Sequence, residues 1–359
     1  MTLLFSLLGF LTGAASTGAP QSAELLFAGD AMQHQAQLDR ARELGGNSYD
    51  YSDCFTLLAP EVTRADYAVC NLEVPLGGGP DYSGYPCFSA PDSYAQALKD
   101  AGFDMMLTAN NHCLDRGDRA ARRTLTALDS LGIDHVGTFR DSLQRLEKVP
   151  FIKNINGIRF GFLNYTYGTN GIPPRDGMEV ALIDKRRMAQ EIKKTRDAGA
   201  EIVVVAVHWG IEYVLLPNSS QKDLAQFLVN QGVDMIIGGH PHVIQPMEMV
   251  RNEKEGKDVL LVYSLGNLIS NMKTADTRGG ALVRARVTRD AQGRARVTGA
   301  DYDTFFSAKP AGGRTNFKVI PSWMPESIPA AQRAHWEIFD RGAQRIFDAN
   351  NKNVPRKHR

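Results

Sequence analysis

Two histidines, His240 and His242, flank a single proline in IIGGHPHVIQP, residues 236–246, directly after an apolar run that ends in two glycines. Proline stiffens the pair, and an i, i+2 spacing suits ligands for two neighbouring ions. Polar groups of the same type close five other apolar runs. They are Asp30 in FAGD, Asn71 and Glu73 in NLE, Asn110, Asn111 and His112 in NNH, His208 in VHWG and Asn267 in LGN. Imidazole nitrogen with carboxylate or amide oxygen is the donor set of Zn, Mn or Fe(II) and needs no thiolate. Each residue also has an ordinary explanation. Asp30 and Asn111 suit caps or turns, His208 a hydrogen-bonded core histidine, Trp209 packing and Asn267 a turn. Six clusters of one chemical kind outweigh those accounts. They are read together as a binuclear centre for two divalent ions (Mn, Zn or Fe), about 3.5–4 Å apart as in two-metal hydrolytic sites.

Such residues converge only if the chain brings its strand ends to one edge. ELLFAGD, ADYAVCNLE, FDMMLTANNH, AEIVVVAVHWG, VDMIIGGHPH and DVLLVYSLGN each read as a buried strand. PDSYAQALKDAG, DRAARRTLTALDSLG (with an aspartate to cap it), DKRRMAQEIKKTRDAG and QKDLAQFLVNQG read as the helices between them. That alternation predicts an α/β fold with largely parallel strands, whose C-terminal ends and following loops form a site. Two segments break the rhythm. VPFIKNINGIRFGFLNYTY carries Asn156-Gly157, a type I′ hairpin signal. GGALVRARVTRDAQGRARVTGADYDTFF alternates apolar and basic residues as a half-exposed hairpin would, so the sheets are mixed.

The ordered set FAGDAM, NLEVP, TANNHCLDRG, VVVAVHWGIEY, IIGGHPHVIQP and YSLGNLI resembles the CapA-type capsule-synthesis proteins. That family is associated with poly-γ-glutamate and belongs to the calcineurin-like metallophosphoesterase superfamily. The likeness runs from Glu24 to Ile269. It implies a four-layer αββα sandwich of two mixed sheets flanked by helices. The C-terminal helix, which the likeness does not need, is expected to pack outside that core. It also implies that Asp30 is the first metal-binding aspartate, Glu73 the bridging acid and Asn111 the amide ligand. His208 and His240 would complete one metal site and His242 the other. His112 would stabilise or protonate the leaving group. Two departures stand out: Met32 occupies the histidine position of the superfamily's D-x-H motif, and Glu73 is one methylene longer than aspartate. Whether His34, four residues after Asp30, reaches back is open. Asn71, Trp209, Glu212 and Asn267 are candidates for touching substrate or orienting ligands, Glu212 equally for an ordinary exposed acid. His135 and His335 have no companions and read as structural.

The site chemistry selects anions. Two divalent ions bring about +4 against about −2 from Asp30 and Glu73, which suits a phosphoester as well as the carboxylates of a polyglutamate. His112, oriented by Asp115, is the expected general acid. An anionic polymer or phosphoester is therefore the expected substrate, and capsule-synthesis membrane proteins are partners that the resemblance implies. A non-catalytic component of a capsule assembly or export complex is the alternative.

Composition sets the outer bounds. The chain has 359 residues, 43% of them hydrophobic, enough for one large domain, and its net charge of +1 gives no reason to expect nucleic-acid binding. Leu3 to Leu11 form a short apolar run followed by small residues up to Ala15, as in a signal peptide, although no Lys or Arg precedes it. Export to the periplasm or cell envelope is expected. Cys54, Cys70, Cys87 and Cys113 form no C-x-x-C pair, which argues against a structural zinc, and sequence cannot pair them into disulfides. The expected division is a leader (residues 1–23), a metallophosphoesterase-type domain (24–308) and a C-terminal helical extension (309–359). The basic end, NKNVPRKHR, is expected to be a frayed, solvated terminus.

Overall fold

The computed structural model describes residues 21–358. In chain order its strands are β1 (Ser22–Ala31), β2 (Tyr67–Leu72), β3 (Met105–Leu107), β4 (Asp134–Val136), β5 (Thr138–Phe139), β6 (Phe151–Ile155), β7 (Ile158–Thr166) and β8 (Glu179–Val180). There follow β9 (Ile202–His208), β10 (Met235–Gly239), β11 (Met247–Asn252), β12 (Lys257–Val262), β13 (Asn267–Ile269), β14 (Gly279–Arg289), β15 (Ala295–Ala308) and β16 (Lys318–Pro321). The helices are α1 (Gln35–Gly45), α2 (Ala59–Val62), α3 (Asp92–Asp100), α4 (Gly117–Leu131), α5 (Ser142–Lys148), α6 (Lys185–Asp197), α7 (Ser219–Asn230) and α8 (Arg333–Asn350).

One sheet has the order β16-β15-β14-β1-β2-β3-β4, with β13 also paired to β1. The other has the order β11-β12-β10-β9-β7-β6, and β5 and β8 form a separate small ribbon. Within the first sheet β1 to β4 run parallel. In the second, β7, β9, β10 and β12 do. Strand alternation assigns the faces. Leu25 and Phe27 pack with Val204, Ala206 and Met235 between the sheets. Leu26 and Ala28 turn outward onto Ala41 of α1, Val62 of α2 and Leu98 of α3. Val203, Val205 and Val207 of β9 turn the other way, onto Met188 of α6 and Leu224 of α7. Helix, sheet, sheet, helix is the four-layer sandwich that the resemblance implied.

The β6–β7 hairpin turns at Asn156 (φ 51°) and Gly157 (φ 83°), both positive as a type I′ turn requires. Other expectations need correction. Asp118 does not cap its helix; α4 begins one residue earlier, and the Asp118 carboxylate accepts from the Arg175 N–H. The β14–β15 hairpin is buried along most of its length, because β1 and β16 pair with its two outer edges and helices cover it. Helix α8 does not lie outside the core: Phe339, Ala343 and Phe347 join the inter-sheet cluster.

The basic tail is docked, not frayed. Met249 N–H donates to the Lys352 carbonyl (2.9 Å), Tyr302 N–H to the Pro355 carbonyl (3.0 Å) and Lys357 N–H to the Tyr302 carbonyl (2.9 Å). Its side chains neutralise acids that the folded sheet would otherwise bury. Arg284, fully buried, bonds Asp303 and lies 2.7 Å from Asp301 and 3.1 Å from Glu61. Lys357 meets Glu61 at 2.7 Å and His358 meets Asp303 at 2.7 Å. The apolar leader falls outside the described residues, and among those described no helix is long and apolar enough to cross a membrane.

Removing one partner of a buried charge network leaves uncompensated charge, at a cost of about 3–5 kcal/mol. Arg284→Met should therefore lower unfolding stability by ~3–5 kcal/mol in a urea titration. Lys357→Ala, at a partly exposed pair, should cost under about 1 kcal/mol.

Candidate metal centre

Six strand ends meet at one edge of the sandwich, three from each sheet. Asp30 ends β1, Asn71 and Glu73 end β2, and Asn110, Asn111 and His112 follow β3. His208 ends β9, and His240 and His242 follow β10. After β12 the chain crosses to the first sheet, where Asn267 pairs with Asp30. That crossing needs a bare backbone at position 29. Asp30 N–H donates to the Gly266 carbonyl at 2.9 Å, and a Cβ on Gly29 would stand only 1.9 Å from that oxygen. A Cβ on Gly239 would come within 2.8 Å of Asp30 Oδ1. The loop after it is strained: His240 (φ 97°) and His242 (φ 57°) occupy conformations that cost non-glycine residues about 1–3 kcal/mol. Positive φ at both histidines re-aims their rings and backbone toward the first sheet. His240 N–H donates to Asp30 Oδ2 at 3.2 Å, and His242 Nδ1 lies 3.2 Å from the same atom.

Glu73 is the hub. Its carboxylate is fully buried, and Oε1 has no hydrogen-bond partner although His208 Nε2 is 3.4 Å away and His242 Nε2 3.7 Å. Two sets of donor atoms, each within 4.8 Å of one another, share it: Glu73 with His208 and His240, and Asp30 with Glu73 and His242. A third set joins Glu212, half-buried, to His240 and His242. Asn111 Oδ1 lies 2.8 Å from His208 Nε2, so the amide oxygen faces the first set. His240 Nδ1 is a second buried atom without a partner. Buried polar atoms of native proteins are otherwise almost always bonded. Two such orphans, among nitrogen and oxygen donors only, fit divalent ions.

The electrostatics agree. Burial and the neighbouring Asp30 push Glu73 well above the usual carboxylate range. Burial would raise Asp30 as well, but the hydrogen bond and positive charge of His242, with the hydrogen bond from Asn71, hold it well below that range. Burial drives His208 down to about 3 and His240 down to about 2, which keeps both as neutral imidazoles, the form that binds metal. For His242 burial is outweighed by Glu73 and Asp30, which raise it to about 9. Without metal, the proton on His242 is the cation of the cluster.

His112 stands beside this set. Its Nδ1 is 2.8 Å from Asp115 Oδ2, which also accepts from Phe88 N–H at 2.8 Å. Burial lowers its affinity for a proton, but Asp115 and Glu73 raise it further, and the balance is upward. The proton on Nδ1 therefore points to Asp115 and leaves Nε2 for chemistry.

The remaining expected residues divide. Asn71 donates to Asp30 Oδ1 (2.8 Å) and to Glu73 Oε2 (3.3 Å), so it orients carboxylates. Asn267 Oδ1 is 3.0 Å from His242 Nδ1 and orients that ring. Asn110 braces the loop by donating to the Leu72 carbonyl (2.8 Å). His34 opens α1 and accepts from Asn271 N–H (3.3 Å), and it belongs to none of the donor sets. Trp209 is buried and donates to the Tyr263 carbonyl (2.8 Å), a packing position. Met32 is buried.

Four residues escaped the sequence reading. Exposed Tyr167 lies 4.5 Å from the His240 ring and exposed Tyr213 lies 6.4 Å from that of His242. Exposed Tyr85 packs 6.2 Å from Phe88, whose ring is 4.7 Å from His112. Asn170 hydrogen-bonds Asn111. The signal was available for two of them. β7 is a parallel member of the second sheet, so the end of NYTYGTNG belongs at the same edge.

Comparison with known proteins gives the family of the chain. Residues 24–272 match the family described as Bacterial capsule synthesis protein PGA_cap. The chain is 29% identical over 288 residues to the PGA biosynthesis protein CapA of Bacillus subtilis (strain 168), covering 77% of this chain and 70% of that protein. It is 29% identical over 248 residues to the Capsule biosynthesis protein CapA of Bacillus anthracis, covering 66% of this chain and 58% of that one. The chain thus spans little more than half the length of the latter relative. Among solved structures it is similar to the NAD nucleotidase of Haemophilus influenzae (TM-score 0.47, 10% identity, 94% of this chain and 64% of that). A calcineurin-like phosphoesterase of Bacillus subtilis gives a TM-score of 0.43 at 14% identity, over 80% of this chain and 91% of that. With most of its length inside the family match, this chain belongs to the bacterial capsule synthesis family PGA_cap.

Proposed function

We propose that this protein is a divalent-metal-dependent hydrolase or transferase of the cell envelope that acts on poly-γ-glutamate or a related anionic polymer. The observation that carries the reading is Glu73: a fully buried carboxylate with an unpartnered oxygen, common to two sets of nitrogen and oxygen donors. Asp30, Glu73, Asn111, His208, His240 and His242 would hold two ions (Mn, Zn or Fe). Bound divalent ions would supply positive charge beside the reacting oxygen and a lowered pKa for water.

The chain's own groups do the rest. His242, raised to about 9 by Glu73 and Asp30, would have to give up a proton to serve as a ligand. His112 holds a proton at Nε2 for the leaving group, and the Asp115 carboxylate fixes the ring by accepting from Nδ1. Tyr167 and Tyr213 beside His240 and His242, and Tyr85 on Phe88 beside His112, give the cluster an exposed, amphipathic aromatic rim. An extended chain uses such a rim better than a compact phosphate monoester does, which favours the polymer. Family membership and the names of the relatives support the capsule setting, and the apolar leader supports export. Membrane-bound capsule-synthesis proteins are the proposed partners; nothing in the charge pattern calls for nucleic acid.

Elemental analysis of the purified protein should find about two equivalents of metal, and the double variant His240→Ala/His242→Ala should lose both. His112→Ala should retain metal and fold and lose about 10²–10⁴-fold in turnover. Polymer and phosphate monoesters assayed side by side identify the substrate class. If the wild type turns over neither, and His112→Ala supports capsule formation in cells as well as wild type does, the non-catalytic assembly role is favoured instead.

A further inference from the structure

We infer that Asn170 is the positioning residue that sets the amide of Asn111, so that Oδ1 and not Nδ2 is presented to the metal. The inference rests on the reading that this cluster binds metal. An asparagine ligates through oxygen only, yet its two amide faces have nearly the same shape. Something must therefore choose between them. Asn111 Oδ1 points at His208 Nε2 (2.8 Å), and Asn111 Nδ2 donates to Asn170 Oδ1 (3.2 Å). Among the described residues Nδ2 has no other hydrogen-bond partner. Flipping Asn111 would turn a donor toward the ligand nitrogen and leave Asn170 Oδ1 facing an acceptor.

Asn170 presents Oδ1 to Asn111 Nδ2 at 3.2 Å and turns its own Nδ2 toward His112 Nδ1 at 3.4 Å. The backbone is built to hold it there. Ile172 N–H donates to the Thr169 carbonyl (2.9 Å), and Thr169 Oγ1 donates back to the Ile172 carbonyl (2.6 Å). Between them Asn170 (φ 51°) and Gly171 (φ 74°) both have positive φ, the Asn-Gly turn with a fixed direction. The turn lies beyond the end of β7, so the second sheet controls a ligand carried by the first. His208 comes from the same sheet as Asn170, which makes one face of the first donor set depend on both sheets.

The positive φ decides which variants are informative. Asn170→Gly removes the amide without backbone strain, whereas alanine would add strain. Asn170→Asp keeps an acceptor for Asn111 Nδ2 and tolerates the turn. Mn²⁺ or Zn²⁺ would be titrated calorimetrically into the metal-stripped full chain. Groups that hold a ligand typically contribute 10–100-fold in metal affinity. Asn170→Gly should weaken one of the two binding steps by roughly that factor, and Asn170→Asp should recover most of it. In an Asn111→Ala background, Asn170→Gly should have no further effect, and Asn170→Asp there measures the bare effect of added charge. Wild-type binding of two ions with unchanged affinity in Asn170→Gly overturns this inference alone. Equal losses in the Asn111→Ala and wild-type backgrounds also overturn it, because Asn170 would then act independently of that amide. A wild type that takes up no metal overturns the metal-site reading itself.

Discussion

Two carboxylates buried side by side govern this structure. Asp30 and Glu73 are both fully buried at the ends of adjacent parallel strands, and the groups around them are mostly imidazoles. Like charges at such a place cannot both persist without cations. In the metal-free protein burial and the neighbouring Asp30 push Glu73 up, while Glu73 and Asp30 together raise His242. This arrangement is a poor stability device, since apolar side chains of similar volume commonly serve stability as well or better. On the proposed reading, Glu73 Oε1 and His240 Nδ1, the two orphaned atoms, would find their partners in bound divalent ions.

The rest of the fold holds that cluster at fixed geometry. The two sheets are tied at their shared edge through Asp30, which accepts from Asn71 on its own sheet and from His240 on the other. Asn164, on β7, accepts from Ala109 N–H at 2.7 Å and so anchors the loop carrying Asn111 and His112. Bare glycine backbone allows the close approaches, and the strained histidines after β10 face inward because their surroundings over-determine them. Strain held at a site by the packing around it is a common mark of function. Away from this edge, the docked tail and the Arg284 network close the far part of the first sheet, so the two ends of the described chain serve one core.

Much of this was legible in the sequence because it depends on local pattern. The apolar runs marked each strand on which a ligand sits, and the polar residue ending each run marked the site. The turn at Asn156-Gly157 was readable from its two residues. What escaped depends on long-range pairing. Nothing local says that KNVPRKH would lie along β11 and β15, since its basic residues acquire acidic partners only once Glu61 and Asp303 are assembled. α8 has an amphipathic face, but sequence does not say that the open side of an inter-sheet core awaits it. Met32 shows the limit of motif reading: the missing histidine is visible, while the cluster that forms without it is not. Tyr167 and Asn170 escaped for a different reason. β7 was read as half of a hairpin, and its role as a parallel strand ending at the site went unweighed.

The central claim is that Glu73 is shared between two ions. Anomalous diffraction from crystals soaked in Mn²⁺, collected near the manganese edge, tests it most directly. Two peaks should flank Glu73, one near His208 and His240 and the other near Asp30 and His242. A single peak contacting His240 and His242 together, or none within reach of Glu73, would contradict the account.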